Sequence, residues 1–219
     1  MKRRTLLALP FGLPLINATR AAEPGFTDLY NKKDLVGWTV HGGKLEAWRA
    51  EGELLVCSGE GGGWLRTEKA HANFVLKLDW KIPPGGNSGV GLRCPPQGDP
   101  AHAGMEIQIL DDNAPQYKDK LDPGQYTGGI YYQVPSNKEK REQALKPPGE
   151  WNGYEITCKG PEVVVKLNGV EITRGNQDEH KVGRGGQKSL NDRPRNGFIG
   201  LQSHGTRVEF RNLQIKVLD

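Results

Sequence analysis

The chain is poor in several features that mark common protein classes. It has three cysteines in 219 residues (Cys57, Cys94 and Cys158). None of them sits in a Cys-x-x-Cys pair or a zinc-like cluster, which argues against a disulfide framework or a sequence-evident metal finger. Each falls inside a run that reads as a strand, so they read as three small buried hydrophobes, with one disulfide and a leftover thiol as the alternative. Helix formers are unremarkable and apolar segments are short, which points away from a helical bundle. No internal repeat and no linker divides the sequence. Glycine and proline, in contrast, are abundant, at 30 and 15 residues.

The first 22 residues read as an export signal rather than as part of the fold. Lys2, Arg3 and Arg4 precede the apolar run "LLALPFGLPLI" (Leu6 to Ile16), and small residues follow up to a cleavage site near Ala21 or Ala22. The run is too short to span a membrane, and Pro10 and Pro14 interrupt it. "RRTLL" weakly suggests a twin-arginine signal, the alternative to the general secretion route. The expectation is a periplasmic or extracellular protein with one domain over residues 23–219. Of 30 Lys and Arg, four (Lys2, Arg3, Arg4, Arg20) lie in this segment, leaving 26 against 26 Asp and Glu. The remainder is neutral and carries no basic stripe for nucleic acid.

Short alternating runs separated by turn signals fill the rest. "FVLKLDWKI" alternates cleanly and stops at "PPGGN". "YEITCKGPEVVVKLNGVEIT" reads as three strands, the last two joined at Asn168-Gly169, a type I′ hairpin signal. In "VEFRNLQIKVL" the apolar phase slips by one residue, which predicts a bulge near Arg211-Asn212. One helix is expected at "SNKEKREQAL", with Ser136 and Glu139 as a capping box. Arg174 to Asn196 has no periodicity and reads as a mobile loop, either a lid or a solvated insertion. About a dozen short strands with little helix predict an all-β sandwich or jelly roll of two antiparallel sheets.

"GMEIQILDD" (Gly104 to Asp112) poses the functional question. Met105, Ile107 and Ile109 share one face, and Glu106 and Gln108 share the other with Leu110. Asp111 and Asp112 follow where the strand runs out. Glu and Gln on one face of an antiparallel strand are commonly just solvated. Convergence favours a site instead: Asn87, Arg93, Gln125, Tyr126, Tyr131, Gln202 and His204 lie on or beside neighbouring strands. Tyr132 flanks them. Carboxylates, amides and aromatic rings on one concave face suit a sugar. The expected arrangement puts Glu106, Gln108 and Arg93 in one concavity, with Ile107 and Ile109 in the core. Trp38, Trp48, Trp64, Trp80 and Trp151 read mainly as core, with one or two reaching a cleft.

Taken in order, "GGWLRTEK", "PPGGNSGVGLR", "GDPAHAGMEIQILDD", "QYTGGIY", "PPGEWNGYEITCKG", "LNGVEI", "DRPRNGFIGLQSHG" and "VEFRNLQIKVL" resemble the 3-keto-disaccharide hydrolase domain family. The resemblance runs from "GFTDLYNKKDLVGW" to the C-terminus. It implies a concanavalin A-like jelly roll acting on 3-keto-glycosides, by hydrolysis or by lyase and hydratase steps.

The chemistry of such a substrate sets the requirements. A C3 carbonyl acidifies the C2 hydrogen; its removal and loss of the C1 substituent give a 2-hydroxy-3-keto-glycal, which water converts to the free 3-keto sugar. A base, an acid and an oxyanion stabiliser are needed. Glu106, Asp111 and His204 are the base and acid candidates, and Arg93 is the oxyanion candidate. A divalent metal held by Glu106, Asp111 or His204 is the alternative to Arg93. Asn87, Gln108, Gln125, Tyr126, Tyr131 and Gln202 are the substrate-binding candidates. Two other readings remain open. Glu106, Gln108 and Asp111 follow the spacing of the Glu-x-Asp-x-x-Glu strand of laminarinase-type glycosidases. An amide in the middle and a shorter last acid weaken a mechanism that needs two carboxyls about 5 Å apart. A lectin-like module without chemistry is the other.

Overall fold

The computed structural model describes residues 24–219; the export-signal reading lies outside them. Among the described residues, thirteen strands form two antiparallel sheets. The larger runs β11 (Val170–Asn176), β10 (Glu162–Leu167), β9 (Asn152–Lys159), β6 (Phe74–Lys81), β13 (Val208–Val217), β4 (Leu54–Cys57) and β3 (Trp48–Glu51). β1 (Thr27–Asp28) also pairs with β13. The smaller runs β2 (Trp38–His41), β5 (Trp64–Thr67), β12 (Phe198–Gln202), β7 (Asn87–Cys94) and β8 (Met105–Leu110). Early, middle and late strands interleave in both sheets, as in a jelly roll.

Alternation builds the core. Phe74, Leu76, Leu78 and Trp80 of β6 point inward with Tyr154, Ile156 and Cys158 of β9, and Val90, Leu92, Met105, Ile107 and Ile109 face them from the smaller sheet. Ile107 and Ile109 are fully buried, as their phase requires. Asn168 and Gly169 both have positive φ, 49° and 87°, which suits the type I′ hairpin between β10 and β11. The phase slip in β13 is a register shift between Arg211 and Gln214, with Asn212 at φ 53°. Among the described residues, no helix is long and apolar enough to cross a membrane.

Two local readings need correction. The helix spans Lys138–Ala144 and its cap is Asn137, which accepts the Lys140 N–H; Ser136 instead accepts from Arg141. Tyr131 and Tyr132 are not in a regular strand. Residues 128–131 lie along the outer edge of β8, where Gly128 N–H donates to Gln108 O, Gln108 N–H to Gly129 O and Tyr131 N–H to Glu106 O. The segment satisfies the edge of β8 as a strand would, but the turn at residues 123–125 and the glycines keep it irregular.

The three cysteines are unpaired and buried. Burial pushes the Cys158 thiol up to about 12, with the Arg93 charge opposing, and raises Cys94 as well. Denatured, unreduced protein should therefore titrate three thiols, whereas the folded protein should react slowly. A count of one would establish a disulfide.

Candidate active site

The register of the smaller sheet brings polar side chains into rows on its concave face. Glu106 pairs with Gly91, which pairs with Gly200, which pairs with Arg66. In the next row, Gln108 pairs with Gly89, and Gln202, Trp64 and His41 continue it through β12, β5 and β2. Gly89 and Gly91 are glycines because neighbouring side chains lie across them. A Cβ on Gly89 would stand 2.6 Å from Glu106 Cδ, and one on Gly91 would stand 3.2 Å from the Trp64 ring.

Residues 95–104 fold back over this face as a strap. His41 Nε2 lies 2.7 Å from Gly98 O, Arg66 Nη1 donates to Pro96 O (3.1 Å), and Arg193 Nη1 donates to Gly104 O (2.8 Å). Between strap and sheet is a cleft of about 770 Å³, walled by His41, Trp64, Asp99, Gln202 and His204. Glu106, 2% exposed, does not itself line the cleft, but Asp99 on the cleft wall is near enough for its charge to act on the Glu106 carboxyl. Its Oε1 is buried without a hydrogen-bond partner, and so is Gln202 Oε1. Orphaned acceptors of this kind call for a donor from outside the chain. Burial lifts the Glu106 pKa well above the usual carboxylate range, and the Asp99 charge adds to the rise.

Of the expected residues, two line the cleft and four lie in the hydrogen-bond network around β8. Gln108 Nε2 donates to Asn87 Oδ1 (3.0 Å), and Thr206 Oγ1 fixes the Asn87 backbone. Gln125 Nε2 donates to the Tyr131 hydroxyl (3.1 Å), whose pKa is raised by burial and, in part, by Glu106. Gln202 and exposed His204 line the cleft.

Others do not. Arg93 turns away from Glu106, so the expected grouping of Glu106, Gln108 and Arg93 does not form. A register shift in β7 against β12, with Arg93 at φ 51°, reverses the alternation there. Cys94 takes the concave side, close enough that a Cβ on Gly91 would meet its sulfur at 2.6 Å. The Arg93 guanidinium instead donates to Ala72 O (2.9 and 2.7 Å), Gly160 O (2.8 Å) and Gln177 Oε1 (2.6 Å), clamping the β9–β10 turn to the smaller sheet. It is a structural group. Arg93→Met should cost about 3 kcal/mol of stability by orphaning these acceptors. Turnover per folded molecule should hold, as checked by denaturant unfolding alongside rates normalised to folded protein.

Asp111 and Tyr126 lie outside the cleft, in a second cavity beyond the end of β8. Asp111 Oδ2 accepts the Gly85 N–H (2.8 Å), and the Tyr126 hydroxyl donates to Tyr117 O (3.2 Å). Among the described residues no three His, Cys, Asp or Glu side chains converge as a metal-ligand set. Asp111 lies in a different cavity from His204 and Glu106, so the three do not form one metal-ligand group.

Asp99 and His41 are cleft residues the sequence reading did not single out, whereas Trp64 is one of the tryptophans expected to reach a cleft and lines this one. Asp99 caps the short helix Pro100–Ala103 through the Ala101 N–H (2.9 Å). The dipeptide Asp99-Pro100 signals such a cap, but not its place over Glu106. Of the Arg174 to Asn196 segment, Arg174–Asn176 are the end of β11, not loop; the rest is irregular around one short turn, tied to its surroundings by the Gln177 N–H on Pro161 O and by Arg193 Nη1 on Gly104 O. Gln177 donates to Leu190 O, and Arg193 to Gln187 Oε1 and Lys188 O.

Two antiparallel sheets with a polar cleft strapped across the concave one define a concanavalin A-like jelly roll. The chain belongs to the family of 3-keto-alpha-glucoside-1,2-lyase-like domains, which it matches over residues 25–216. It is 27% identical, over 233 residues, to the 3-keto-disaccharide hydrolase of Bacteroides thetaiotaomicron, spanning 89% of this chain and 79% of that one. Two crystal structures of glycosyl hydrolase-type proteins from Parabacteroides distasonis superpose with TM-scores of 0.77 and 0.74, each at 29% identity. They cover 88% and 89% of this chain and are themselves covered to 99% and 94%.

Proposed function

We propose that the chain is an exported enzyme that cleaves 3-keto-glycosides by C2 proton abstraction, β-elimination and hydration. The observation that carries this reading is Glu106, a buried carboxyl with raised pKa and an orphaned oxygen beside a sugar-sized cleft. A carboxylate held in such a place is a stronger base than one in water, which suits removal of a proton from carbon. In its ionised form Glu106 takes the C2 proton, electrons move into the C3 carbonyl, and the C1–O bond breaks as the leaving alkoxide gains a proton. His204, on the cleft wall, is the candidate for that proton. Water then adds at C1 of the glycal and C2 is reprotonated. The two steps sum to hydrolysis, so a lyase-like family and a relative named as a hydrolase are compatible.

With Arg93 elsewhere, the amides of Gln108 and Gln202 and the Tyr131 hydroxyl are the candidates facing the enolate oxygen and the sugar hydroxyls. Export rests on Lys2, Arg3, Arg4 and the apolar run Leu6 to Ile16.

The test offers the protein one 3-keto-disaccharide and its unoxidised parent, following release of the second sugar. The 3-keto compound should be cleaved and the parent untouched. Equal cleavage of both would favour a two-carboxylate glycosidase, and binding without cleavage a lectin-like module.

A further inference from the structure

A second cavity, of about 790 Å³, opens beyond the end of β8 and shares no lining residue with the cleft. Its floor is the end of the core, at Trp80, Ile82 and Leu110; Tyr126, Leu145 and Pro148 add to the apolar wall. Its volume falls in the range of pockets that enclose a small ligand, roughly 300–1,000 Å³.

The polar lining has specific gaps. Arg141, 5% exposed, is held by three partners. Its Nε lies 2.7 Å from Asp112 Oδ2, an ion pair whose N–H is not aligned along the contact. Nη1 donates to Ser136 Oγ (2.9 Å), and the guanidinium stands 4.9 Å from the centre of the Tyr126 ring. Nη2 has no hydrogen-bond partner. Asp112 is committed to structure through Oδ1, which accepts from the Thr127 N–H (3.0 Å) and Oγ1 (2.8 Å). Asp111 gives Oδ2 to the Gly85 N–H and leaves Oδ1 unbonded. A pre-positioned donor and an open acceptor therefore line one cavity beside an aromatic ring. The charged lining residues are four acidic and four basic, so the cavity selects for neither sign.

We propose that this cavity is a second carbohydrate-binding site for an uncharged mono- or disaccharide. The ring hydroxyls bond Arg141 Nη2 and Asp111 Oδ1, and an apolar sugar face packs on Tyr126. The site is independent of the chemistry assigned to the cleft.

The test is an NMR titration of the full chain with maltose, an unoxidised sugar. It is repeated on Glu106→Gln, which alters only the cleft. The amides of Asp111, Tyr126 and Arg141 should shift in both proteins. Glu142→Trp, at an exposed rim position, should abolish those shifts by filling the mouth. Asp111→Asn, which keeps an acceptor for Gly85, should weaken binding about tenfold without unfolding the protein. Shifts confined to cleft residues, or insensitive to Glu142→Trp, would overturn the proposal. Glucuronic acid binding more tightly than glucose would overturn the assignment to an uncharged sugar.

Discussion

Glu106→Gln is expected to lower turnover of a 3-keto-glycoside by about 10²- to 10⁴-fold, the usual contribution of a positioned general base. The amide keeps the shape of the side chain but cannot take a proton from C2. The same substitution should remove a pH dependence of stability. Burial, with the Asp99 charge adding, raises the folded-state pKa of Glu106 well above its usual value. The folded protein then holds a proton that the unfolded chain releases above about pH 4.3. This contribution is complete below the unfolded pKa and is lost as pH rises through the folded one. Unfolding measured between about pH 5 and 8 should show a downward slope in the parent that is shallower in Glu106→Gln. Parallel curves would mean that Glu106 is not perturbed, and unchanged turnover would remove it from the mechanism.

Gly89→Ala is expected to act through geometry alone. The new Cβ would stand 2.6 Å from Glu106 Cδ and 2.7 Å from its Cγ, so the carboxyl must move aside. The displaced group is the Glu106 side chain from Cγ outward, so strain in a buried site works against the gain that alanine brings to a strand. The net stability change should stay within about 1–2 kcal/mol. A catalytic group misplaced by about 1 Å loses roughly 10²-fold in rate, and turnover should fall by that much. Retained turnover with a normal fold would show that the carboxyl position over Gly89 does not matter to catalysis.

How far the sequence could be read depended on whether the backbone stayed regular. The strands of "YEITCKGPEVVVKLNGVEIT", the Asn168-Gly169 turn and the slip at Asn212 were legible, because alternation and positive-φ residues follow local rules. The placement of Ile107 and Ile109 in the core, with Glu106 and Gln108 opposite, was legible for the same reason. Arg93 was misplaced because period-2 counting fails across a bulge. Arg93 is a non-glycine residue at positive φ and carries no turn signature to give warning. Asp111 was grouped with Glu106 by proximity in sequence, yet the strand ends at Leu110 and the chain bends into a different cavity. Asp99 was missed because it approaches Glu106 only when the strap folds back, a long-range arrangement with no local pattern. The helix cap shifted from Ser136 to Asn137 because both residue types cap well and tertiary contacts chose between them.

The central claim is that cleavage begins at the C2 hydrogen, and turnover in deuterium oxide tests it most directly. A 3-keto-disaccharide cleaved to completion should release a 3-keto sugar carrying deuterium at C2, well above the exchange of the same sugar without enzyme. Glu106→Gln should suppress cleavage and C2 labelling together. Complete cleavage with the original hydrogen still on C2 would contradict the account.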